Sequence, residues 1–503
     1  MSLARFREEP WRTSHPAYQD SGLAMSPAPE YASSEVLLSS LYRHVGLEGA
    51  TERTVPQRGR EIDKDVQWYR DRHRKPEGAV LDPDAFHMLL HSVLESPKLP
   101  NQSSKRFVQV TPLVPKAAAF SGSARLSANS WPAGALVRRM IWLGSRNLPE
   151  AEATWQALFE ALAVVDDDDI FARFLQAEIE AWAPSPKWGM LSANEQFTLD
   201  MDDQRNLAYP ARRFARDLGS VIAAKSAMTR RQWTSLLESV LRLGAVAHVT
   251  WTCDLHARMW SCVRSALDGA GPKDIDEARA LIFPRPFQFL SYGDRALPGM
   301  KDRASAFLQA RLGLNATLWA LDMVQEEGHG LSSAREVLDL CDRVRRNAAA
   351  LATMGLGDML AEVSERETRT LLCKKGIGSN IMEFARHVLG QRQAASPILR
   401  GYDQGFVLRK RSAGNGAPWI VGMGPVAILA LVHCSLAGAS GPRSVRRLSQ
   451  HLSAYGISVD HRDIATNDLG HQLRMLGLVL DSPDAESGML LVPPFPTVKQ
   501  VIA

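Results

Sequence analysis

Cysteine is scarce in this sequence, which excludes a disulfide framework. The 503 residues contain five cysteines, an odd number. Most of them lie within apolar helical patterns, as reduced and buried thiols do. Such usage predicts a reducing compartment. The five are Cys253, Cys262, Cys341, Cys373 and Cys434.

Long apolar runs are also lacking, which argues against export and against a membrane span. The N-terminal sequence MSLARFREEPWR has charges and a proline where a secretory signal needs an uninterrupted apolar run. Residues 412–442 carry no Asp, Glu, Lys or Arg, but Gly422, Gly424 and Pro425 interrupt them. About a dozen apolar residues then remain, against the ~20 that a bilayer requires. We therefore expect a cytoplasmic protein without a membrane partner, and a buried strand and helix in this stretch.

The chain has little net charge, so no global field directs it to nucleic acid or membrane. The formal net charge is +4. From Arg366 to the end, however, 16 basic residues stand against 9 acidic ones, whereas the preceding residues have 43 against 46. Positive charge is therefore concentrated at the C-terminal end.

Linear catalytic signatures are missing as well. We find no GxSxG, no kinase motif set, no GxGxxG after a strand, no CxxC pair and no phosphate loop. Other groupings have simpler interpretations: Cys253 and His256 fit a packed helix, His87 and His91 lack the glutamate of a zinc protease, and the run Asp166 to Asp169 fits an acidic helix start. We predict no catalytic residue, no metal and no cofactor. An enzyme whose site is assembled from distant positions stays an alternative.

Residues 131–395 are patterned as successive amphipathic helices. Thr229 and Gln232 have the spacing of a capping box, as do Ser333 and Glu336. The first box precedes an apolar stripe of Trp233, Leu236, Leu237, Val240 and Leu241. Further helices are predicted at 150–165, 168–182, 210–226, 300–327, 357–373 and 379–390, with Ser379 as an N-cap. The fold class is therefore mainly α, an irregular helical bundle or array.

The first 130 residues are rich in Pro, Ser and Gly and are loosely patterned. Residues 84–95 predict a helix, and residues 106–114 are compatible with a strand. This region is interpreted as a small domain or as an arm laid over a neighbouring one.

Residues 396–503 predict a basic, winged-helix-like domain. A hairpin of residues 406–411 and 419–421 precedes helices predicted at 425–437, 444–454 and 462–476, and two short strands joined by DSPDAESG follow. Helix, helix, turn, helix and hairpin is the order of a winged helix. The predicted core of the three helices is Val426, Ile428, Leu429, Leu448, Leu452, Leu469, Leu473 and Leu476.

A DNA-binding winged helix places its last helix in the major groove and holds phosphates with basic groups nearby. Asp463, Asp468, Asp481, Asp484 and Glu486 oppose that role here, because phosphate would repel them. Protein docking is therefore the other interpretation of this domain. The candidate nucleic-acid contacts are Arg409, Lys410, Arg411, Arg443, Arg446, Arg447, His461, Arg462, His471, Gln472 and Arg474.

The segments RKRSAGNGAPWIVGMGPVAILALVHC and LGHQLRMLGLVLDSPDAESGMLLVPPF resemble accessory subunits of multigene bacterial phage-defence systems, of the methylation-associated and phosphorothioation-dependent types. The likeness covers mainly residues 400–495 and transfers no functional residue. It implies a non-catalytic partner of a large ATPase, nuclease or methyltransferase.

The sequence therefore predicts a non-catalytic DNA-contacting or assembly subunit of a bacterial antiviral defence or DNA-processing system. Its expected partners are other protein subunits, with double-stranded DNA as a further candidate. A winged-helix transcriptional regulator with a helical sensor domain is the main alternative, since regulators combine a ligand-responsive part with an operator-reading one.

Overall fold

The protein is mainly helical in a computed structural model. The structure describes residues 3–25, 34–51, 53–95, 110–121, 133–192, 203, 210–283, 287–325, 330–392, 401–412, 414, 416–439, 441–482 and 488–495. Of the helices in these ranges, none combines the length and the apolar character that crossing a bilayer demands.

The N-terminal segment consists of short helices that pack on the rest of the chain. His15 N donates to Asn315 Oδ1 at 2.8 Å, and buried Arg43 donates to the Ala118 carbonyl at 2.7 Å. The helix predicted over residues 84–95 is present, but its second half is a π-helical turn. The helices are α1 Leu3–Glu8, α2 Pro16–Gln19, α3 Ser34–Gly46, α4 Val55–Asp71 and α5 Pro83–Met88, with a π-turn Leu89–Val93 and a 3-10 turn Pro115–Ala119.

The strand considered for residues 106–114 is not formed in its described part. Residues 106–109 lie outside the described residues, and Val110 makes one isolated bridge to Glu95. Beyond it, the chain continues without strand structure to the 3-10 turn.

The predicted succession of helices through the middle of the chain is confirmed. Starts and ends differ from the predicted ones by a few residues, and the region predicted at 357–373 is split in two. Ser379 is not an N-cap, because its helix begins at Gly376 after Lys375. The helices are α6 Ala133–Gly144, α7 Leu148–Leu162, α8 Ile170–Trp182, α9 Pro210–Ala223, α10 Arg230–Leu267, α11 Ile275–Ile282, α12 Leu297–Met323, α13 Ala334–Thr353, α14 Leu356–Arg366, α15 Thr368–Leu371 and α16 Gly376–Leu389.

The C-terminal module, here residues 408–495, alternates short strands with helices. Its hairpin and first two helices agree with the sequence prediction. β4, β7 and β6 form an antiparallel three-stranded sheet in that order, whereas β5 pairs in parallel with β1 (Leu290–Ser291) of the preceding region. The elements are β2 Leu408–Lys410, β3 Trp419–Val421, α17 Pro425–Ser435, β4 Arg443–Ser444, α18 Arg446–Ala454, β5 Ile457–Ser458, α19 Asp468–Met475, β6 Val479–Asp481 and β7 Met489–Leu491.

Helix α10 is the centre of the molecule. Its first turn is closed by the predicted capping box, in which Thr229 and Gln232 exchange side-chain and backbone hydrogen bonds. It packs against α9, α12, α13, α16 and α17, so side chains all round it are buried. A helix enclosed on every side needs no polar face, which is why its apolar stripe fades after the first turns.

Helix α19 begins six residues later than predicted. Asn467 is its N-cap and accepts a hydrogen bond from Gly470 N at 3.1 Å, while the residues just before it form turns. The helix is therefore short, and Leu476, predicted in the core, lies past its end and is 37% exposed. Ile428, Leu448, Leu452, Leu469 and Leu473 are buried as predicted, and Val426 and Leu429 are half-buried.

Gly470 is expected to be required for the turn that leads into α19. A Cβ at this position would overlap the carbonyl oxygen of Ile464. We expect Gly470→Ala to cost about 2–3 kcal/mol and to abolish hydrogen-exchange protection of the α19 amides. Gly357→Ala is the control, because a Cβ at this exposed helical position meets no atom within 4 Å; it should stabilise α14 by about 0.5–1 kcal/mol. Equal protection in the two variants would contradict this assignment.

Candidate nucleic-acid interface

Helix α9 is amphipathic, and its polar face carries arginines. Phe214, Leu218 and Val221 are buried on one side, at helical spacing. Arg213 and Arg216 project from another face, half-buried and exposed respectively. Like charges are close together here. Burial, together with the charge of Arg216, lowers the pKa of the neighbouring Arg212.

The C-terminal module presents further arginines to this face of α9. Arg443 lies in β4, and Arg446 and Arg447 form the first turn of α18. The two faces enclose a cleft of about 630 Å³, which we term the arginine cleft. It is lined by Arg213, Arg216, Arg443, Arg446 and Arg447, with Ser220, Ser444, Gln450 and the carboxylate of Asp217 among its other walls.

The floor of the arginine cleft is a buried polar cluster. Tyr455 Oη donates to Asp217 Oδ2 at 2.7 Å, and His451 Nε2 lies 2.8 Å from the same oxygen. Burial, together with the charge of Asp217, raises the pKa of Tyr455 far above its usual range, so the phenol stays a neutral donor. Of the described residues lining the cleft, Asp217 is the acidic one, and it stands against five arginines. The arginines above it are left with an excess of positive charge.

Of the three predicted contacts in the cleft, Arg447 also has a structural role. Its guanidinium donates to the carbonyls of Ser435 and Ala437, the latter at 3.0 Å. It thereby satisfies carbonyls at the C-terminal end of α17. Arg443, in β4, and Arg446, the first residue of α18, are exposed.

The candidates on α19 are mostly engaged within the protein. Gln472 donates to Asp468 Oδ2 at 3.0 Å, and Arg409 of β2 donates to the same atom at 3.0 Å. Arg474 donates to Asp481 Oδ1 at 3.2 Å and to the Ala465 carbonyl at 2.9 Å. His471 is exposed.

The remaining candidates lie apart from the arginine cleft. His461 and Arg462 were predicted at the start of the last helix, which is wrong, since they belong to the turn that precedes it. Lys410 and Arg411 follow Arg409 on the β2–β3 hairpin, half-buried and exposed. Of the acidic residues expected in the loop after β6, Asp484 and Glu486 lie outside the described residues.

The groupings considered for metals or catalysis have structural surroundings. The His256 ring lies 5.4 Å from that of Tyr18 and 5.3 Å from that of Phe307, in the core. Burial raises the pKa of the Cys253 thiol well above its usual range, so the thiol is not a reactive thiolate. Asp169 is the N-cap of α8, as the acidic run indicated. Within the described ranges, no three His, Cys, Asp or Glu side chains gather as a metal site would require.

Arg213 and Arg216 were missed at the level of sequence. The available signal was the helical spacing of Arg213, Arg216 and Ser220 opposite an apolar face in PARRFARDLGSVIA. That signal identifies an exposed basic stripe but not its partner, because Arg443 lies more than two hundred residues further along the chain.

Neither a protein-family model, nor a curated protein, nor a solved structure matches this chain.

Proposed function

We propose that this chain is a non-catalytic subunit that binds the phosphate backbone of double-stranded DNA at the arginine cleft. The observation that carries the proposal is the convergence of arginines from α9 with arginines from β4 and α18 on one open cleft. Guanidinium groups bind phosphate oxygens in bidentate fashion, and each neutralised phosphate releases counterions. A cleft lined on both sides by one sign of charge also concentrates a polyanion.

The proposal includes a winged-helix assignment for the C-terminal module. Its support is the order α17, β4, α18, α19, β6 and β7, together with the antiparallel sheet β4-β7-β6. In DNA complexes of helix-turn-helix proteins, the helix before the recognition helix crosses the phosphate backbone. Arg446 starts that helix here, and the positive end of its dipole adds to the attraction for phosphate.

The contacts on α19 favour backbone binding over base reading. Arg474 and Gln472 would have to leave Asp481 and Asp468 before they could contact base edges. Phosphate contacts position a protein without carrying sequence information. We therefore expect weak sequence preference, which favours a subunit of a DNA-processing assembly over an operator-specific regulator.

Assembly with other proteins is favoured by a separate observation. Three apolar side chains at the end of α19 and in β6 face solvent: Met475 is 74% exposed, Leu480 54% and Leu476 37%. These three residues lie within six positions of each other in the chain, and contiguous exposed apolar surface is typical of contact sites for other proteins. The antiviral setting of that assembly is a proposal that depends on the resemblance of residues 400–495 to phage-defence subunits.

The proposal is tested by fluorescence anisotropy with the full chain and a labelled duplex of arbitrary sequence. We expect Arg213→Gln/Arg446→Gln to weaken binding at least about tenfold at low salt and to reduce the slope of log affinity against log salt by about 2. The loss should be equal for duplexes of different sequence, because the lost contacts go to phosphate.

The matched control is Arg5→Gln/Arg335→Gln, which removes the same charge from exposed arginines that do not line the cleft. This pair is expected to bind like the parent chain. Binding that is insensitive to salt, or equal losses in the two pairs, would overturn the DNA role and leave protein docking as the function of the module.

A further inference from the structure

A second cavity lies where the helical array meets the C-terminal module. It encloses about 500 Å³ between the first turns of α10, residues 402–405 and one side of α17. We term it the junction cavity. Its volume falls within the range of small-molecule sites in proteins, about 300–1,000 Å³. None of its described lining residues belongs to the arginine cleft.

One wall of the junction cavity is apolar. Met228 precedes α10, Val426 and Leu429 come from α17, and Phe495 follows β7. Val426 and Leu429 are half-buried, whereas Ala427 and Ile428 between them are fully buried in the core. An apolar group seated in the cavity would remove this exposed surface from water, which is favourable in proportion to the area covered.

The opposite wall is ionic and held in place. Arg242 forms a bidentate pair with Asp403, at 2.7 and 3.2 Å, and both side chains are almost fully buried. Arg392 donates to Glu238. In each pair the arginine charge is balanced by a carboxylate. The Arg242–Asp403 pair also fixes residues 402–405 against α10 in the absence of a ligand.

Arg231 is the third arginine of the cavity lining. It is exposed at the start of α10, and its guanidinium lies 5.5 Å from the centre of the Tyr402 ring. The acidic residues that line the cavity, Glu238 and Asp403, contact Arg242 and Arg392. The lining therefore has one positive charge in excess, in the same cavity as the apolar side chains.

We propose that the junction cavity binds a small amphipathic organic anion. Its acidic group would pair with Arg231, and its aromatic or aliphatic body would lie against Val426, Leu429 and Met228. This site goes beyond the DNA contact proposed above, since it takes a different ligand in a different place. A bound molecule would touch both α10 and α17, and would stabilise the folded chain by mass action.

The probe for this site is anilinonaphthalene sulfonate, an aromatic anion whose fluorescence rises in apolar surroundings. We expect saturable binding of one equivalent to the full chain, displaced by phenylbutanoate but not by the neutral phenylbutanamide. Arg231→Gln should weaken binding about tenfold, in line with the loss of one charge-assisted contact. Leu429→Trp, which fills the cavity from a half-buried position, should abolish it.

Two controls separate this site from the arginine cleft. Arg213→Gln/Arg446→Gln should bind the probe like the parent chain, and Leu429→Trp should bind duplex DNA like the parent chain. Arg335→Gln should leave probe binding unchanged. Unsaturable binding, displacement by DNA, or unchanged affinity in either Arg231→Gln or Leu429→Trp would overturn the proposal.

Discussion

Replacing Asp403 by leucine is expected to lower the free energy of unfolding by about 3–5 kcal/mol, because it removes the carboxylate that pairs bidentately with the buried guanidinium of Arg242. The carboxylate that remains near Arg242, that of Glu238, lies 3.7 Å away and is shared with Arg392. Arg242 is 0% exposed and also donates to the carbonyls of Val388 and Gly390, at 2.6 and 2.9 Å. Burial alone would raise the pKa of Asp403, but the charges of Arg242 and Arg392 outweigh it and lower the pKa to about 2. The pair is therefore ionised at neutral pH. Urea denaturation of the parent chain and of Asp403→Leu measures the difference in the free energy of unfolding.

The cost comes from breaking the pair, so the double variant Arg242→Met/Asp403→Leu should lose less than the sum of the two single variants. Glu362→Leu serves as the surface comparison, because it breaks the ion pair with Arg7, in which both side chains are about half exposed. We expect that change to cost less than about 1 kcal/mol. If Asp403→Leu and Glu362→Leu lowered the free energy of unfolding equally, the Arg242–Asp403 pair would not account for the loss of stability. Strict additivity of the two single changes in the double variant would show the same.

Mild acidification is expected to destabilise the protein through two histidines inside α10. Burial, with a smaller contribution from nearby arginines, lowers the pKa of His248 and of His256 from 6.5 to about 3. Between these pH values the unfolded chain binds protons that the folded chain excludes, so stability falls as the pH drops below 6.5. At about pH 4.5 this amounts to about 3 kcal/mol for each imidazole. Asp403 adds little above about pH 4.5, because a depressed carboxyl pKa lowers stability mainly below the unfolded value of 3.8.

His256→Phe keeps a ring between Tyr18 and Phe307 and removes the titrating group. It is expected to reduce the stability lost between neutral pH and about pH 4.5 by about 3 kcal/mol, as measured by urea denaturation across that range. His471→Phe is the control, because it makes the same substitution at an exposed position of α19. A parent-like pH profile in both variants would show that His256 does not cause the loss of stability at acidic pH.

Local chemistry explains why most helices were predictable from the sequence. The capping box of Thr229 and Gln232 and the stripe that follows depend on residues within two turns of each other, and they form as predicted. The box predicted for Ser333 and Glu336 forms only in part: the Ser333 hydroxyl accepts from Glu336 N at 3.1 Å, whereas the Glu336 carboxylate accepts from Ser332 N and not from Ser333 N. At Asn467, by contrast, a local cap overrides the start that the apolar spacing predicted. Its cap, and the packing of Gly470 on the turn before it, shorten a helix that the apolar spacing alone would have started at Arg462.

Tertiary placement explains what could not be predicted. A buried arginine such as Arg242 is indistinguishable in sequence from an exposed one, because its partner Asp403 lies 161 residues away. The arginine cleft has the same character. Arg446 belonged to the predicted set, but only the folded chain brings Arg213 opposite it. Conversely, Arg474 satisfied the pattern of a groove contact and proves to be paired with Asp481.

The parallel pairing of β5 with β1 has a consequence for anyone who would transplant the C-terminal module. Cutting the chain near residue 400 would strip Ile457 and Ser458 of their backbone partners at Leu290 and Ser291, and would uncover the flank of α17 that packs on α10. An orphaned strand edge beside bare apolar surface invites self-association. The smallest fragment that can be transplanted must therefore include α9, α10 and β1 together with the C-terminal module. A chimaera joined near residue 400 would break the contacts between these elements.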